Sequence, residues 1–225
     1  ILNYVTIEYA GQSTLGYLHW ADRNVALMVD YSNAKLDHVT ITKSQNQGLW
    51  LFGSTNVITG CEFSQCGGNA IVAEENSRPT ISQTRFVANG TLAGGTPTIA
   101  MDATCVPLPS ALTFQDNIVS AVNIWGGTLV STAEWKNWAS NAPYLISGDV
   151  SVSEPATLTV EAGATVKFKK ARLWMEGTLK AIGAAAPITF TSWRDDSVGG
   201  NTDAANDAPA TSDWKGIYLG PKAGA

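Results

Sequence analysis

The residues with the clearest chemical potential lie in one acidic loop. Its Asp and Asn side chains stand close together in a stretch rich in Gly, Ala and Pro: Asp195, Asp196, Asn201, Asp203, Asn206, Asp207 and Asp213. Ca²⁺ takes about six to eight oxygen ligands, which closely spaced Asp and Asn supply from a flexible loop. The candidate calcium ligands are Asp195, Asp196, Asn201, Asp203 and Asp207. The alternative is a solvated loop braced by Asx turns, which the same residue types form.

A second candidate chemistry is polysaccharide cleavage, which needs two or three carboxylates, or a carboxylate with a cation, on one face. Glu8, Glu62 and Arg85 could align along one face if the segments that carry them are strands. An adjacent Glu and Arg more often form a surface ion pair of small energetic weight. His19 and His38 stand apart, without a Ser or Cys nucleophile motif. We therefore expect no catalytic residue, and a lyase or hydrolase is the minority alternative.

The cysteines leave two alternatives open. Cys61 and Cys66 lie close together in sequence, whereas Cys105 stands among prolines and is expected to be unpaired. The pair is expected to be buried thiols, and a Cys61–Cys66 disulfide across a turn is the alternative. No His or third Cys has the spacing of a metal site.

Exposed aromatic side chains could bind glycans by stacking. Trp50, Trp174 and Trp193 occupy positions where an outward or turn placement is expected. Trp50 alternates with Leu49 and Leu51, so it should point away from the core. An exposed Trp usually marks a contact, here with a glycan, a neighbouring insertion or another unit.

The charge balance excludes some partners. The chain has 225 residues, a formal net charge of −5 and 15 % charged residues, so it lacks the basic stripe of a nucleic-acid binder. No apolar run approaches the roughly 20 residues of a membrane-spanning helix. One small basic cluster is expected to be a solvated strand face: Lys167, Lys169 and Lys170.

A short repeat organises the elements that must position these residues. Superimposing its three copies within residues 34–89 aligns Ile41, Phe63 and Phe86 at a spacing of roughly 22 residues, in the range of solenoid proteins. Each copy alternates apolar and polar residues, as a strand with one buried face does. A strand that recurs once per period, always in one direction, predicts an all-β, parallel β-helix.

The repeats divide the chain into three parts. Coils are predicted over residues 1–120 and, in a second repeat style, over 144–225, with about eight to ten coils in all. Residues 121–143 are predicted to bridge the two runs outside the solenoid. Within them, Ser131-Thr-Ala-Glu134 fits a capping box, so a short helix is expected over 132–139.

The second run carries a family resemblance. Tyr144-Leu-Ile-Ser-Gly-Asp-Val, Gly177-Thr-Leu, Pro187-Ile-Thr-Phe-Thr-Ser and Asp213-Trp-Lys-Gly-Ile resemble the opening coils of bacterial right-handed parallel β-helix repeat proteins of the cell surface. The resemblance implies a right-handed solenoid at the surface of a bacterial or archaeal cell. In that family the acidic loop often reads more fully as a calcium loop, and residues 201–207 depart from it by losing the glycines.

In the family, such coils are followed by a strand very like Leu2-Asn-Tyr-Val-Thr-Ile, so the end of this chain resembles the natural predecessor of its beginning. Either the chain is one unit of a tandem array, or separate units meet end to end. Open solenoid ends are sheet edges that add strands, and a contact that does not close gives a filament. The expected self-assembly residues are Leu2, Tyr4, Val5, Ile7, Tyr9, Trp214, Ile217 and Leu219. We expect an extracellular, non-catalytic surface or filament subunit, with a carbohydrate-binding adhesin module as the alternative.

Overall fold

The computed structural model describes residues 1–11 and 24–223, and this part of the chain is built from short strands without a helix. The first fourteen strands are β1 (Leu2–Asn3), β2 (Thr6–Glu8), β3 (Val25–Asp30), β4 (Lys35–Asp37), β5 (Thr40–Thr42), β6 (Gln47–Phe52), β7 (Val57–Thr59), β8 (Glu62–Ser64), β9 (Ile71–Glu74), β10 (Thr80–Ser82), β11 (Arg85–Val87), β12 (Pro97–Met101), β13 (Leu108–Ser110) and β14 (Thr113–Gln115). The remaining strands are β15 (Val119–Ile124), β16 (Gly127–Leu129), β17 (Ala133–Trp135), β18 (Tyr144–Ile146), β19 (Val150–Val152), β20 (Thr157–Val160), β21 (Thr165–Phe168), β22 (Arg172–Met175), β23 (Thr178–Ala181), β24 (Thr189–Ser192) and β25 (Gly216–Leu219).

These strands wind into a parallel β-solenoid of about seven coils. Sheet A has the order β1-β4-β7-β10-β13, and sheet B has β2-β5-β8-β11-β14. Sheet C runs the length of the solenoid as β3-β6-β9-β12-β15-β18-β21-β24. Sheets D (β16-β19-β22-β25) and E (β17-β20-β23) complete the later coils. Every pairing among the described strands is parallel, which confirms the predicted fold class.

The predicted repeat register is the observed register. Ile41 pairs with Phe63, and Phe63 pairs with Phe86, along sheet B. All three side chains are fully buried inside the coil. Phe86 stacks between Phe63 and Phe114, with ring centroids 5.6 and 4.9 Å apart. The period-two alternation therefore places one apolar column on the solenoid axis.

Two corners of each early coil depend on residues in the left-handed backbone region. The corner residues between sheets A and B are Tyr4, His38, Gly60, Gln83 and Ala111, and those between sheets B and C are Tyr9, Lys43, Gln65, Ala88 and Asp116. A non-glycine residue there costs roughly 1–2 kcal/mol. Except at Ala111 and Asp116, the corner N–H groups offset part of that cost by hydrogen bonds to the next coil, as from His38 to the Thr59 carbonyl at 2.9 Å.

The expected bridge at residues 121–143 is wrong, and so is the helix expected over 132–139. This segment forms β15, β16 and β17, and β17 pairs with β20 in sheet E. Ala133 and Trp135 are buried while Glu134 is half-buried, so strand alternation prevails over the capping-box pattern. Trp135 stacks on Tyr144 at 5.1 Å, and Trp138 donates its indole N–H to the Tyr144 hydroxyl at 2.9 Å.

The number of coils is also smaller than the eight to ten predicted. Excursions such as residues 88–96, between β11 and β12, lengthen individual coils beyond the basic period. The same number of residues therefore completes about seven turns.

Removing Phe86 should test the axial column directly. Phe86→Ala deletes the middle of three stacked rings, and a buried Phe→Ala change costs about 3–5 kcal/mol of unfolding free energy. The measurement is urea denaturation followed by tryptophan fluorescence. Arg85→Ala is the matched control, because Arg85 lies next to Phe86 but its side chain is 55 % exposed, and we expect a change within about 0.5 kcal/mol. Equal losses from the two substitutions would contradict the assignment of Phe86 to the axis.

Candidate functional site

The outer face of sheet C holds a concave surface. Outward side chains follow one row across neighbouring strands, in the order Met28, Trp50, Val72, Ala100, Asn123 and Leu145. Trp50 packs with Val25, Val72 and Met28 in a small cluster separate from the axial core. Trp50 therefore points away from the core, as its alternation with Leu49 and Leu51 predicts.

A groove of about 370 Å³ lies on this face. We call it the sheet C groove, and its lining residues are Gln47, Trp50, Asn69, Val72, Glu74, Thr96, Pro97, Ala100, Asn123 and Trp125. Trp50 donates its indole N–H to Glu74 Oε2 at 3.0 Å, which orients the carboxylate. The Trp125 side chain is partly exposed, with 38 % of the residue's surface accessible. Sequence reasoning missed this groove because Asn123 and Trp125 lie in the segment predicted to bridge the coils.

The acidic loop packs on the same outer face, nearer the end of the chain. Trp193 contacts a cluster formed by Val119, Ala121 and Leu145. Lys167 lies beneath the loop with no exposed surface, so its predicted place on a solvated strand face is wrong. The loop, which is distant in sequence, covers this face of β21.

Lys167 supplies a cation at the centre of the loop. Its ammonium donates to the carbonyl oxygen of Asp195 at 2.7 Å and to that of Gly200. Burial lowers the pKa of Lys167, and the nearby carboxylates of Asp196, Asp195 and Asp203 oppose that shift. The ammonium thus binds two backbone carbonyl oxygens of the loop.

Several oxygens of the predicted calcium ligands accept hydrogen bonds within the protein, whereas Asp203 Oδ2 is buried without a hydrogen-bond partner. Asp195 accepts hydrogen bonds from Ser197 and Thr191, which lower the pKa of its carboxyl group. Asn201 Oδ1 accepts the N–H groups of residues 203 and 204, and Asp203 Oδ1 accepts that of residue 205, as in Asx turns. Asp207 approaches Arg194 at 3.6 Å, and Asp196 is exposed.

These partners do not fit a calcium ion at the centre of the loop. In residues 1–11 and 24–223, no three His, Cys, Asp or Glu side chains are grouped as a metal site. Calcium binding stays an untested prediction, and the arrangement favours the Asx-braced alternative.

A buried carboxylate at the base of the loop was not predicted. Asp213 is 1 % exposed and accepts hydrogen bonds from the Ser192 hydroxyl at 2.5 Å and the Ala210 N–H at 2.8 Å. Arg194 lies 3.3 Å from its other oxygen. These contacts lower the pKa of the Asp213 carboxyl group, and the hydrogen bond from Ser192 has the largest effect. The network joins the end of β24 to the residues before β25, so it fastens both ends of the loop.

The residues considered for polysaccharide cleavage are only partly brought together. Glu62 pairs with Arg85 along sheet B, and their charged groups lie 3.2 Å apart on the exposed face. Glu8 falls in the neighbouring row, opposite Thr42. His38 belongs to neither row, because it lies at a corner of the coil. Its Nδ1 is 2.7 Å from Asp37 Oδ1, and its ring stacks on Tyr4. His19 lies outside the described residues.

Cys61, Cys66 and Cys105 are free and buried, so the alternative of a Cys61–Cys66 disulfide is not realised in the structure. Cys61 lies on the inner side of the coil, 3.6 Å from the Leu36 carbonyl. Burial raises the pKa of the Cys66 thiol to about 11 and raises that of Cys105 further. Thiols held protonated in this way are poor nucleophiles and poor metal ligands.

The expected assembly residues lie at the two ends of the solenoid. Leu2 and Ile7 lie on β1 and β2, which are the edge strands of sheets A and B. Tyr4 and Tyr9 are exposed at the corners beside them. Ile217 and Leu219 lie on β25, the edge strand of sheet D at the other end.

Comparison with known proteins gives a family and no individual relative. A family model described as the right-handed β-helix region matches residues 18–141, which is more than half of the chain. The chain therefore belongs to the right-handed β-helix family. The family includes polysaccharide-degrading enzymes and structural proteins, so membership defines the fold and leaves both activities open. Neither a curated protein nor a solved structure matched the chain. The described residues contain no helix that is long and apolar enough to cross a membrane.

Replacing the buried lysine should loosen the acidic loop. Lys167→Met leaves the carbonyl groups of Asp195 and Gly200 without their donor, and an unsatisfied buried acceptor costs about 1–3 kcal/mol. We expect faster amide hydrogen exchange in residues 193–213 and a lower unfolding free energy. Lys180→Met is the control, because Lys180 is exposed on β23. Unchanged exchange in the loop would show that Lys167 does not hold it in place.

Calcium should leave the stability of the chain unchanged. Asp195 Oδ1 and Oδ2, Asn201 Oδ1 and Asp203 Oδ1 accept hydrogen bonds from protein donors, and the Lys167 ammonium already places a cation beneath the loop. We expect the same melting temperature in calcium chloride and in chelator, at matched ionic strength. A calcium-dependent rise that Asp203→Ala removes would instead assign a calcium site to the loop.

Proposed function

We propose that this chain is a non-catalytic, extracellular structural unit that lengthens by stacking its coils on those of another copy. The extracellular placement rests on the resemblance to bacterial cell-surface β-helix proteins. The observation that carries the stacking proposal is the state of the two rims, meaning the terminal edges of the solenoid formed by β1, β2 and β3 and by β23, β24 and β25.

The apolar side chains of the axial column are less buried at the two rims of the described solenoid than in its middle coils. Inward side chains of the middle coils, such as Ile58 and Ile81, have no exposed surface. Their equivalents on the terminal coils are only partly buried, including Leu2 and Ile7 at one rim and Leu179 and Ile217 at the other. A further coil on each rim would bury this apolar surface, at about 25 cal/mol per Å².

The backbone of β2, at the first rim, pairs with β5 on one side only. On either side of β2, the Val5 carbonyl accepts the Thr40 N–H at 2.9 Å, and the Tyr9 N–H donates to the Thr42 carbonyl at 3.3 Å. Since successive backbone groups of a strand point to opposite sides, the N–H groups of Thr6 and Glu8 face the open rim. An edge of this kind is a template for another strand.

The two rims match in chain direction. Each rim presents three edge strands, one from each sheet of its coil. All described pairs are parallel, so a copy stacked head to tail on either rim continues the same ladder. A repeated head-to-tail contact does not close on itself and gives a filament. The order of the sequence repeats agrees, because the last coil resembles the natural predecessor of the first.

A polysaccharide lyase or hydrolase is the alternative function, since the family includes such enzymes. It would use the exposed face of sheet B, where Glu62 and Arg85 lie. Their side chains are engaged with each other at 3.2 Å, which supports the surface ion pair and the structural proposal.

A proline at the first rim should stop assembly. Thr6→Pro removes one rim-facing N–H and leaves the hydrogen bonds of residues 5 and 9 to β5 in place. We expect the unaltered chain to form concentration-dependent oligomers or fibres by light scattering and electron microscopy, and Thr6→Pro to remain monomeric. Thr6→Val is the matched control, because it keeps the N–H and should assemble.

Two results would contradict the stacking proposal. One is an unaltered chain that stays monomeric at every concentration measured. The other is equal assembly of Thr6→Pro and Thr6→Val, with circular dichroism showing that both are folded.

A further inference from the structure

The two rims of the described solenoid differ in shape because the chain winds as a ramp. At the first rim, β1, β2 and β3 lie in sheets A, B and C and form one coil. At the second rim, β22, β23 and β24 form one coil, and β25 stacks on β22 one coil further on. The second rim therefore has a step after β25, and its edge strands follow one another in the order β23, β24 and β25.

The turn that follows β25 leads toward the free edge of β23. The Ala223 N–H donates to the Gly220 carbonyl at 3.0 Å, as the Ala156 N–H donates to the Ser153 carbonyl at 2.8 Å in the turn after β19. That earlier turn carries the chain from sheet D to sheet E. Ala223 also packs against the axial core, as Ala156 does. The place that comes next on the ramp is therefore the one on β23.

We infer that a second copy of the chain stacks on this rim turned by one sheet, with its β1 on β23, its β2 on β24 and its β3 on β25. This inference rests on the proposed function and adds the register of the contact. The copy continues the ramp strand by strand and repeats the coil-on-coil interface of the middle coils. A coil of roughly 22 residues supplies the about 20–30 residues per side of a standard interface.

The step excludes the register in which like sheets meet. Placing sheet C of the copy on sheet C puts its β3 on β24 and its β2 on β23. Because β1 precedes β2 around the coil as β22 precedes β23, β1 then falls on β22, where β25 already lies. Raising the copy by one coil removes this overlap but leaves the backbone groups of β23 and β24 without a neighbouring strand.

The backbone groups of the two rims are complementary in the rotated register. Within the chain, outward residues of a later coil donate their N–H groups to the earlier coil, as from Glu62 to the Val39 carbonyl at 3.0 Å. Thr6 and Glu8 are the equivalent outward residues of β2, and their N–H groups face the first rim. When the copy's β2 lies on β24, these donors meet the carbonyl groups on the free edge of β24.

Outer apolar side chains also meet across the joint. On sheet D, Tyr218 packs on Trp174 with ring centroids 4.1 Å apart, and 44 % of Tyr218 is exposed. On sheet C of the first coil, the outward Met28 packs in the cluster that contains Trp50. When the inward residues of β3 lie on those of β25, Met28 lies on Tyr218. The two outer rows then join through a thioether–aromatic contact.

Pairs of introduced cysteines distinguish the two registers. Paired residues on adjacent strands have Cα atoms about 4.8 Å apart, within disulfide range, whereas Cα atoms more than about 7 Å apart are not bridged. The rotated register pairs Met28 with Tyr218 and Glu8 with Thr191. The like-sheet register instead pairs Met28 with Thr191 and Glu8 with Lys180. The two members of each pair lie at opposite rims of one chain, so a disulfide between them joins two copies.

The four double variants are oxidised at a concentration at which the unaltered chain assembles, and non-reducing denaturing electrophoresis detects covalent multimers. We expect multimer ladders from Met28→Cys/Tyr218→Cys and Glu8→Cys/Thr191→Cys, and none from Met28→Cys/Thr191→Cys and Glu8→Cys/Lys180→Cys. The cysteines at positions 8, 28 and 191 each occur in one expected pair and one control pair, which controls for their reactivity. The unaltered chain, whose own cysteines are buried, gives the background.

The outcomes separate this inference from the proposed function. An unaltered chain that stays monomeric overturns both. If the chain assembles and the control pairs cross-link instead, or if neither expected pair cross-links, the stacking proposal stands and the rotated register is overturned. Light scattering under reducing conditions checks that each variant still assembles, and where one expected variant does not, the other decides.

Discussion

The parallel stacking of one coil on the next is the constraint on which the rest of the structure depends. Each backbone ladder and each inward side chain uses the equivalent group one coil away, as in the column of Phe63, Phe86 and Phe114. Stability in such an array is a sum of nearest-neighbour terms. In the described solenoid, a coil with a neighbour on one side makes only one of the two sets of interactions that a middle coil makes.

The sequence pattern predicted the axial column because its information is local and repeated. The alternation around Ile41, Phe63 and Phe86 gives both the inner face and the register between coils. The corners were not predictable in this way, because residues as different as His38, Gln83 and Ala111 adopt the left-handed conformation. At His38 and Gln83 the corner N–H donates to a carbonyl of the next coil, and this contact is not visible in the residue type.

The outer surface was predicted less well because it depends on contacts between distant segments. Lys167 alternates like an outward strand residue. The loop that contains Asp195 and Gly200 nevertheless folds over it, and the carbonyl oxygens of these two residues accept hydrogen bonds from the Lys167 ammonium. In the same way, Asn123 and Trp125 complete a groove with Glu74, which lies two coils earlier in sheet C. Strand periodicity gives the direction of a side chain, but it contains no information on what covers that side chain.

The proposed role of the solenoid depends on association at its rims. Amide hydrogen exchange followed as a function of protein concentration tests the underlying claim most directly. Nearest-neighbour stacking predicts that the Phe86 amide is protected at every concentration, and that the Thr6 and Glu8 amides exchange fast in dilute solution and more slowly as concentration rises. Exchange at Thr6 and Glu8 that is independent of concentration would contradict the account.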